Sequence, residues 1–460
     1  MRPGELDDVS VVGVPSPDPT GALVDAFTYI DTIHRQPCRH RGVRLLFKRL
    51  PTYGISNDLN SLVRSLAVAL RDRHQLVLLP PSARERAKVR HLAGELNVKR
   101  PWHWLEDGIP LESLIYPSAC QRELEMSHPT ALDALGANNT AVEQLVSSVG
   151  LAHFSARCRD YDSRNRWNLD LAPRVIPDRF RSYGMLWWMQ VLTTYLIRVR
   201  APLANRIRLH PSLSSFTQAA SASHAAMAVT FSSPGVALGG PVWASTPNGL
   251  NPTFDVGLHV RMGDACGMRA RRSAFRRCVR SLKDAFDQLA SHGVRGGRVF
   301  LASDSQEIIE QASHVRVLYP HFNVSFLPLD RRKYGRVDKL VELSLPREGS
   351  ETLTEALIDL FLLSRARLIA GSMLGNIPRL ALQLRVRPPA ATKQPYVSLD
   401  GHRWCTTSSC KPYSLESTKR SRTSEHGRRR RLPPTLAKLN TTLAIPLKHR
   451  HTVTHQTHTG

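Results

Sequence analysis

The chain reads as an α/β protein built on a parallel sheet with helices on both faces, and two observations carry that reading. In the carboxyl-terminal half, short apolar runs alternate with amphipathic segments of helical length, the pattern of strand–helix–strand units. One of those runs, Phe254-Asp255-Val256-Gly257-Leu258-His259-Val260, stops abruptly in Arg261-Met262-Gly263-Asp264. A strand that ends in charge and glycine suits a ligand-handling loop at the carboxyl edge of a parallel sheet. The 460 residues and 42 % hydrophobic content suffice for about two or three domains with sizeable cores.

Taken in order, residues 1–37 form a polar segment with no apolar run long enough for a signal-peptide core or a membrane span. The amino-terminal half, 38–250, opens with the glycine loop Pro51-Thr52-Tyr53-Gly54-Ile55-Ser56-Asn57-Asp58-Leu59-Asn60. A helical pattern through Leu62, Val63, Leu66, Ala67 and Leu70 follows, then the strand Leu76-Val77-Leu78-Leu79. A long irregular stretch carries Trp102, Trp104 and Trp167, and the spacing predicts an amphipathic helix over 187–199. Ser, Gly and Pro enrich 232–252, a hinge in composition. The carboxyl-terminal half, 251–404, is expected to hold strands at 256–260, 299–303, 368–370 and additionally 323–327, with helices over 275–289, 307–312 and 353–364.

Charge is unevenly spread. Of the net +25, residues 411–460 carry +9, from eleven Lys and Arg against Glu416 and Glu425, and the run from Arg428 to Arg431 lies among Ser, Thr, His and Pro. This tail is expected to be disordered, either a solvated extension or a nucleic-acid or import element. The remaining +16 includes Arg269, Arg271, Arg272, Arg276, Arg277, Arg280 and Lys283. On a helix Arg276, Arg280 and Lys283 share a face, a field that attracts an anionic nucleotide sugar, an acidic acceptor or RNA. No zinc-ligand spacing, aromatic RNA-binding signature or helix-turn-helix pattern supports a specific nucleic-acid partner. Seven cysteines include two close pairs, Cys266 with Cys278 and Cys405 with Cys410, which read either as disulfides or as free buried thiols. Sequons begin at Asn138-Asn139-Thr140, Asn323-Val324-Ser325 and Asn440-Thr441-Thr442, compatible with an oxidising compartment.

Four segments in a fixed order, with a fifth between the first two, resemble the α-1,6-fucosyltransferase family, which includes core N-glycan and nodulation fucosyltransferases. They are the Gly54 loop with its helix and strand, and the His259-Val260-Arg261-Met262 loop, similar to the family's His-Val-Arg-Arg signature with Met262 in place of a second Arg. Val299-Phe300-Leu301-Ala302-Ser303-Asp304 resembles a strand ending in Ala-Thr-Asp, and 351–384, with Leu357-Ile358-Asp359-Leu360 and Ser364, resembles the segment that closes the nucleotide site. Pro177-Asp178-Arg179-Phe180, followed by Gly184-Met185-Leu186-Trp187-Trp188, resembles part of the family's middle region. The likeness spans roughly residues 40–400 in short motifs, so its weight lies in their order.

That resemblance implies a GT-B-like architecture, two facing α/β halves of which the carboxyl-terminal one is Rossmann-like and binds the nucleotide sugar. It implies inverting transfer of fucose from a GDP-fucose donor to a glycan or glycoprotein acceptor, with no metal and no other cofactor, in the Golgi or secretory pathway. The family is typically anchored by an amino-terminal membrane helix, and no such segment is visible in residues 1–37. Either the start lies elsewhere or the protein is not secretory.

In this scheme Arg261 matches the charge developing on the leaving diphosphate, since a guanidinium forks onto two phosphate oxygens and stays charged. His259, two positions earlier on the same side of the strand, supports phosphate or ribose. A strand-end Arg and a partly buried His fit the same residues. Asn57 contacts the donor from across the cleft or satisfies its own turn. Asp304 belongs to the site or caps the next helix. Asp359 reads guanine through its ring N–H and amine, or lies with Thr352 and Glu355 on a solvated helical face.

Two departures weigh against catalysis. Arg269 stands where core fucosyltransferases carry a Glu proposed as base, and Leu374 and Gly375 replace a phosphate-supporting serine doublet, with Ser372 nearby. Asp264 is the substitute general base, or pairs with an Arg. The competing reading is therefore a catalytically inactive protein on this scaffold that binds nucleotide sugar or glycan, or polyanions through its tail.

Overall fold

The computed structural model describes residues 19–38, 43–49, 55–79, 113–127, 175–222, 254–262, 279, 281–334, 349–373, 375–385, 396–401 and 404. All belong to one compact unit, Met1–Ser417. The 411–460 tail, the 232–252 hinge, Trp102, Trp104 and Trp167 lie outside the described residues.

The amino-terminal part holds helix α1 (Pro19–His34), strand β1 (Arg44–Arg49), helix α2 (Ile55–Arg71), strand β2 (His74–Leu79) and helix α3 (Ala119–Ser127). Strands β1 and β2 pair in parallel with Leu46 opposite Leu76, and α2 connects them. Helix α2 buries Leu59, Leu62, Val63, Leu66 and Leu70, the stripe its sequence spacing demands. Helix α3 is held beside β2 by side-chain amides: Gln121 accepts from Leu78 N at 2.6 Å, and Gln75 accepts from Cys120 N at 3.1 Å. A disulfide joins Cys38 to Cys120, with Cα atoms 4.6 Å apart, across 82 positions of sequence. The close pairs Cys266–Cys278 and Cys405–Cys410 lie outside the described residues.

Two expectations are corrected in this part. Residues 1–37 are not polar throughout, because α1 buries Ala22, Ala26, Ile30 and Ile33, a narrow stripe made partly of alanines. Nor is the helix around Trp187 amphipathic. Helix α4 (Gly184–Leu196) buries every residue from Met185 to Leu196, because other elements pack around its whole circumference. It follows the 3₁₀ turn Asp178–Tyr183, whose Phe180 stacks on Trp188 with ring centroids 5.4 Å apart. Helices α5 (Ala201–Arg208) and α6 (Pro211–Ala222) come next.

The larger sheet contains β3 (Phe254–Val260), β4 (Gly297–Ser303), β5 (Phe322–Ser325), β6 (Ala366–Gly371) and β7 (Tyr396–Ser398). All its pairings are parallel, in the order β5-β4-β3-β6-β7. Between the strands run α7 (Leu282–Ser291), α8 (Gln306–Glu310), α9 (Ala312–Leu318), α10 (Gly349–Ser364) and α11 (Asn376–Gln383). The expected helix over 275–289 begins, among the described residues, at Leu282, where Ser281 accepts from Asp284 N at 3.1 Å as an N-cap.

Both faces of this sheet are covered. Val256, Leu258, Val299, Leu301 and Leu368 pack against Phe286 and Leu289 of α7 and Ile308 and Val315 of α8 and α9. On the opposite face Phe254, Phe300 and Ile369 join Leu353, Leu357 and Leu380 of α10 and α11, in a core continuous with α1, α2 and α4. Phe216 of α6 meets Phe254 and Phe300 there, at ring-centroid distances of 6.4 and 5.9 Å. Gly257 permits the close approach of α10, since a Cβ would sit 2.9 Å from the Leu363 carbonyl oxygen. The protein is thus mixed α/β around a five-stranded parallel sheet. Among the described residues no helix is long and apolar enough to cross a membrane.

Candidate functional site

After β3 the chain builds outward through β4 to β5, then returns to add β6 on the other side of β3. That reversal leaves a crevice at the carboxyl ends of β3 and β6, where open parallel sheets receive ligands. His259 lies opposite Gly371 of β6 and Ala302 of β4, and belongs to the side of β3 that faces α10 and α11. Gly371 is needed because a Cβ would come 2.9 Å from Pro378 Cγ, so α11 packs directly over the strand end.

Arg261 follows β3, with its side chain 29 % exposed and Nε 3.9 Å from Asp304 Oδ2. Asp304 Oδ1 also accepts from Met262 N at 2.9 Å. It is therefore a clamp on the β3 loop rather than a helix cap, since Ser305 occupies the N-cap position of α8. Buried His259 has its pKa driven down to about 3, first by loss of hydration and then by the Arg261 and Arg331 guanidinium groups. It is a neutral imidazole at physiological pH, with Nδ1 unpartnered among the described residues.

Arg331, almost fully buried, donates to the Ser303 carbonyl at the end of β4 and to Asp359 Oδ2 at 3.0 Å. Its Nε and Nη2 find no hydrogen-bond partner among the described residues, nor does Asp359 Oδ1. Burial pushes the Asp359 pKa up, and the Arg331 guanidinium opposes that shift. The face of α10 carrying Thr352, Glu355 and Asp359 is not solvated, as the competing expectation had it. Thr352 and Glu355 are buried and the Asp359 side chain is only 14 % exposed, with Arg331 bonded to Asp359 and Tyr334 Oη donating to Glu355 Oε2.

Asn57 lies in the first turn of α2 rather than in a loop. Its Oδ1 accepts from Asn376 Nδ2 at 3.3 Å, so it satisfies a partner 319 positions away instead of its own backbone. Asn60 Nδ2 donates to the Asn376 carbonyl at 3.1 Å and to the Ser56 carbonyl at 2.8 Å. These bonds bring the amino-terminal turns of α2 and α11 together. Arg64 and Arg379 follow about one turn further along the two helices, each with its pKa drawn down to about 10, chiefly by burial. Two helix amino termini and several guanidinium groups favour an anion.

Sequence reasoning missed Asp400, buried just past β7. Its carboxylate accepts from Ser372 Oγ, from Met373 N at 3.1 Å and from Ser398 Oγ at 2.7 Å, fixing the turn that leads from β6 into α11. Its signal resembles that of Asp304, an acid within two residues of the end of a short strand. Arg331, Asn60 and Asn376 were missed for want of any local pattern. Asp264, Arg269, Leu374 and the basic residues Arg271, Arg272, Arg276, Arg277 and Arg280 lie outside the described residues, while Lys283 is exposed and pairs with Asp287 at 2.7 Å. Of the sequons, Asn323 is exposed on β5, and Asn138 and Asn440 lie outside the described residues.

The fold defines a mixed α/β protein whose five-stranded parallel sheet reverses between β3 and β6, with Arg261, Asp304, Arg331 and Asp359 gathered near that reversal. Compared with protein-family models and with curated proteins, the chain matches none.

Proposed function

We propose that this chain is a GDP-sugar-dependent glycosyltransferase of GT-B-like arrangement that transfers fucose, with inversion, to a glycan or glycoprotein hydroxyl. The observation that carries the reading is Arg261, tethered by Asp304 at the sheet reversal and next to the turn that leads into α11. In this reading the Arg261 guanidinium meets the charge that develops on the leaving diphosphate, and the α11 amino terminus adds its aligned N–H groups. Neutral His259 donates one N–H to phosphate or ribose without adding a charge that must later be released.

Asp359 is the guanine reader in this scheme, and because its carboxylate is buried against Arg331 the base has to displace that cover to reach it. Asn57 and Asn60 line the donor side from the 38–250 half, and the 251–404 half supplies the rest. Asp264 takes the acceptor proton, so acid and base work needs no metal or other cofactor. The Cys38–Cys120 disulfide supports a Golgi or other secretory setting, since such bonds persist in oxidising compartments.

Arg269, a cation in the place of a basic carboxylate, favours a second reading in which the protein binds nucleotide sugar or glycan without turnover. The deciding experiment offers purified protein GDP-fucose, GDP-mannose and UDP-sugars, with and without a broad glycan panel. Selective turnover of GDP-fucose is expected. GDP binding without hydrolysis or transfer would select the second reading, and failure to bind GDP would end both.

A further inference from the structure

We propose that His210, Glu351 and Glu355 form a binding site for a divalent transition metal ion of the zinc type. His210 sits at the corner between α5 and α6, where its backbone N–H is tied to the Ile207 carbonyl at 3.2 Å. Glu351 and Glu355, four positions apart on α10, share one face of that helix. One ligand atom from each of the three residues falls within 4.8 Å of the others.

Three acceptor groups in one place do not make a site, and the second observation is the state of the imidazole. His210 is 8 % exposed, and neither of its ring nitrogens has a hydrogen-bond partner among the described residues. Burying an imidazole with both nitrogens unmet forfeits its hydration with no return, which native interiors avoid. A metal ion at the cluster resolves this, because it takes a ring nitrogen as ligand and is neutralised by the two carboxylates.

The donor set selects the ion. Imidazole nitrogen with carboxylate oxygen suits zinc and its neighbours, whereas magnesium and calcium prefer all-oxygen shells. Tetrahedral zinc needs ligand atoms about 3.5 Å apart, so the cluster has to close by no more than about 1 Å. Glu351 is exposed and free to swing that far. Glu355 already accepts from Tyr334 Oη, the kind of outer bond that aims a ligating carboxylate. The bound ion cross-links the α5–α6 corner to α10 and thereby stiffens the helix that also carries Asp359.

The test uses the full chain, stripped with chelator and then titrated with zinc against a chromogenic competitor. His449, His451, His455 and His458 in the tail are further zinc-binding side chains, so the informative quantity is the difference between proteins. Wild type should bind one tight zinc more than Glu351→Gln or His210→Ala, and Tyr334→Phe should weaken that site about tenfold. Glu351 is on the surface, so Glu351→Gln should keep its circular dichroism and still lose the zinc-induced rise in melting temperature. Equal tight-zinc numbers in wild type and Glu351→Gln would overturn the site. So would a melting temperature that is the same in zinc and in chelator. GDP affinity, measured separately, does not enter either outcome.

Discussion

Replacing Arg261 by alanine tests the central claim. The guanidinium is held 3.9 Å from Asp304 and 29 % exposed, so it stands pre-oriented yet open to a ligand. A charge-assisted fork of this kind contributes about 2 to 3 kcal/mol, which corresponds to roughly a 30- to 150-fold loss of GDP affinity in Arg261→Ala. Partial exposure places the expected value toward the lower end, because solvent screens part of the attraction. Asp304→Ala should cost less, about tenfold, since it removes the orienting carboxylate and the acceptor of Met262 N but leaves the cation in place. The two losses should not add in the double variant, because Asp304 acts on the ligand through Arg261. Isothermal titration of GDP into the four proteins measures this cycle, and omission of magnesium should leave all four affinities unchanged. Equal GDP affinity in wild type and Arg261→Ala would remove Arg261 from the phosphate site, and strict magnesium dependence would point to another class of transferase.

Stability should fall with acid between pH 7 and 5. His34 and His259 both have pKa values near 3 in the folded protein, so below the ordinary value of 6.5 only the unfolded chain takes up their protons. Each should then cost about 2 kcal/mol at pH 5, visible as a lower urea midpoint, and His34→Gln should abolish about half of that loss. Reduction of the Cys38–Cys120 bond, which spans 82 positions, should lower stability by about 4 kcal/mol, measured by denaturant titration with and without reductant. Asp264→Asn should leave GDP binding nearly intact while lowering transfer by about 10²- to 10⁴-fold if Asp264 is the base. A parallel loss of GDP binding would make it a positioning group instead.

Four of the five strands of the larger sheet were legible because each is an apolar run bounded by polar residues. Expected strands at 256–260, 299–303, 323–327 and 368–370 became Phe254–Val260, Gly297–Ser303, Phe322–Ser325 and Ala366–Gly371. Strand β1 was not read, since Arg44, Lys48 and Arg49 mask its short apolar centre, and β7 offers only three residues. Helix α1 hid behind alanines, although Ala22, Ala26, Ile30 and Ile33 recur at helical spacing. In the site, His259, Arg261 and Asp304 stood out because charge directly follows an apolar strand. The Arg331–Asp359 pair and the Asn57–Asn376 bond were not legible, because their partners are 28 and 319 positions apart and nothing local marks them. The same holds for the disulfide, where close spacing pointed to other cysteines than Cys38 and Cys120.

Asp304 and Asp400 show how the crevice keeps its shape without a covalent brace. Strand β4 flanks β3 on one side of the reversal, and β7 flanks β6 on the other. Each outer strand is followed by an aspartate that accepts a backbone N–H from the loop after its inner neighbour, Met262 N in one case and Met373 N in the other. The two loops bordering the crevice are thus fixed from outside, by carboxylates whose oxygens are already engaged. A carboxylate used in this way holds the loop rather than competing with an anion for the crevice itself. The acids nearest the reversal are thus committed to local geometry, Asp304 through Met262 N and Arg261 and Asp400 through Met373 N and two serine hydroxyls.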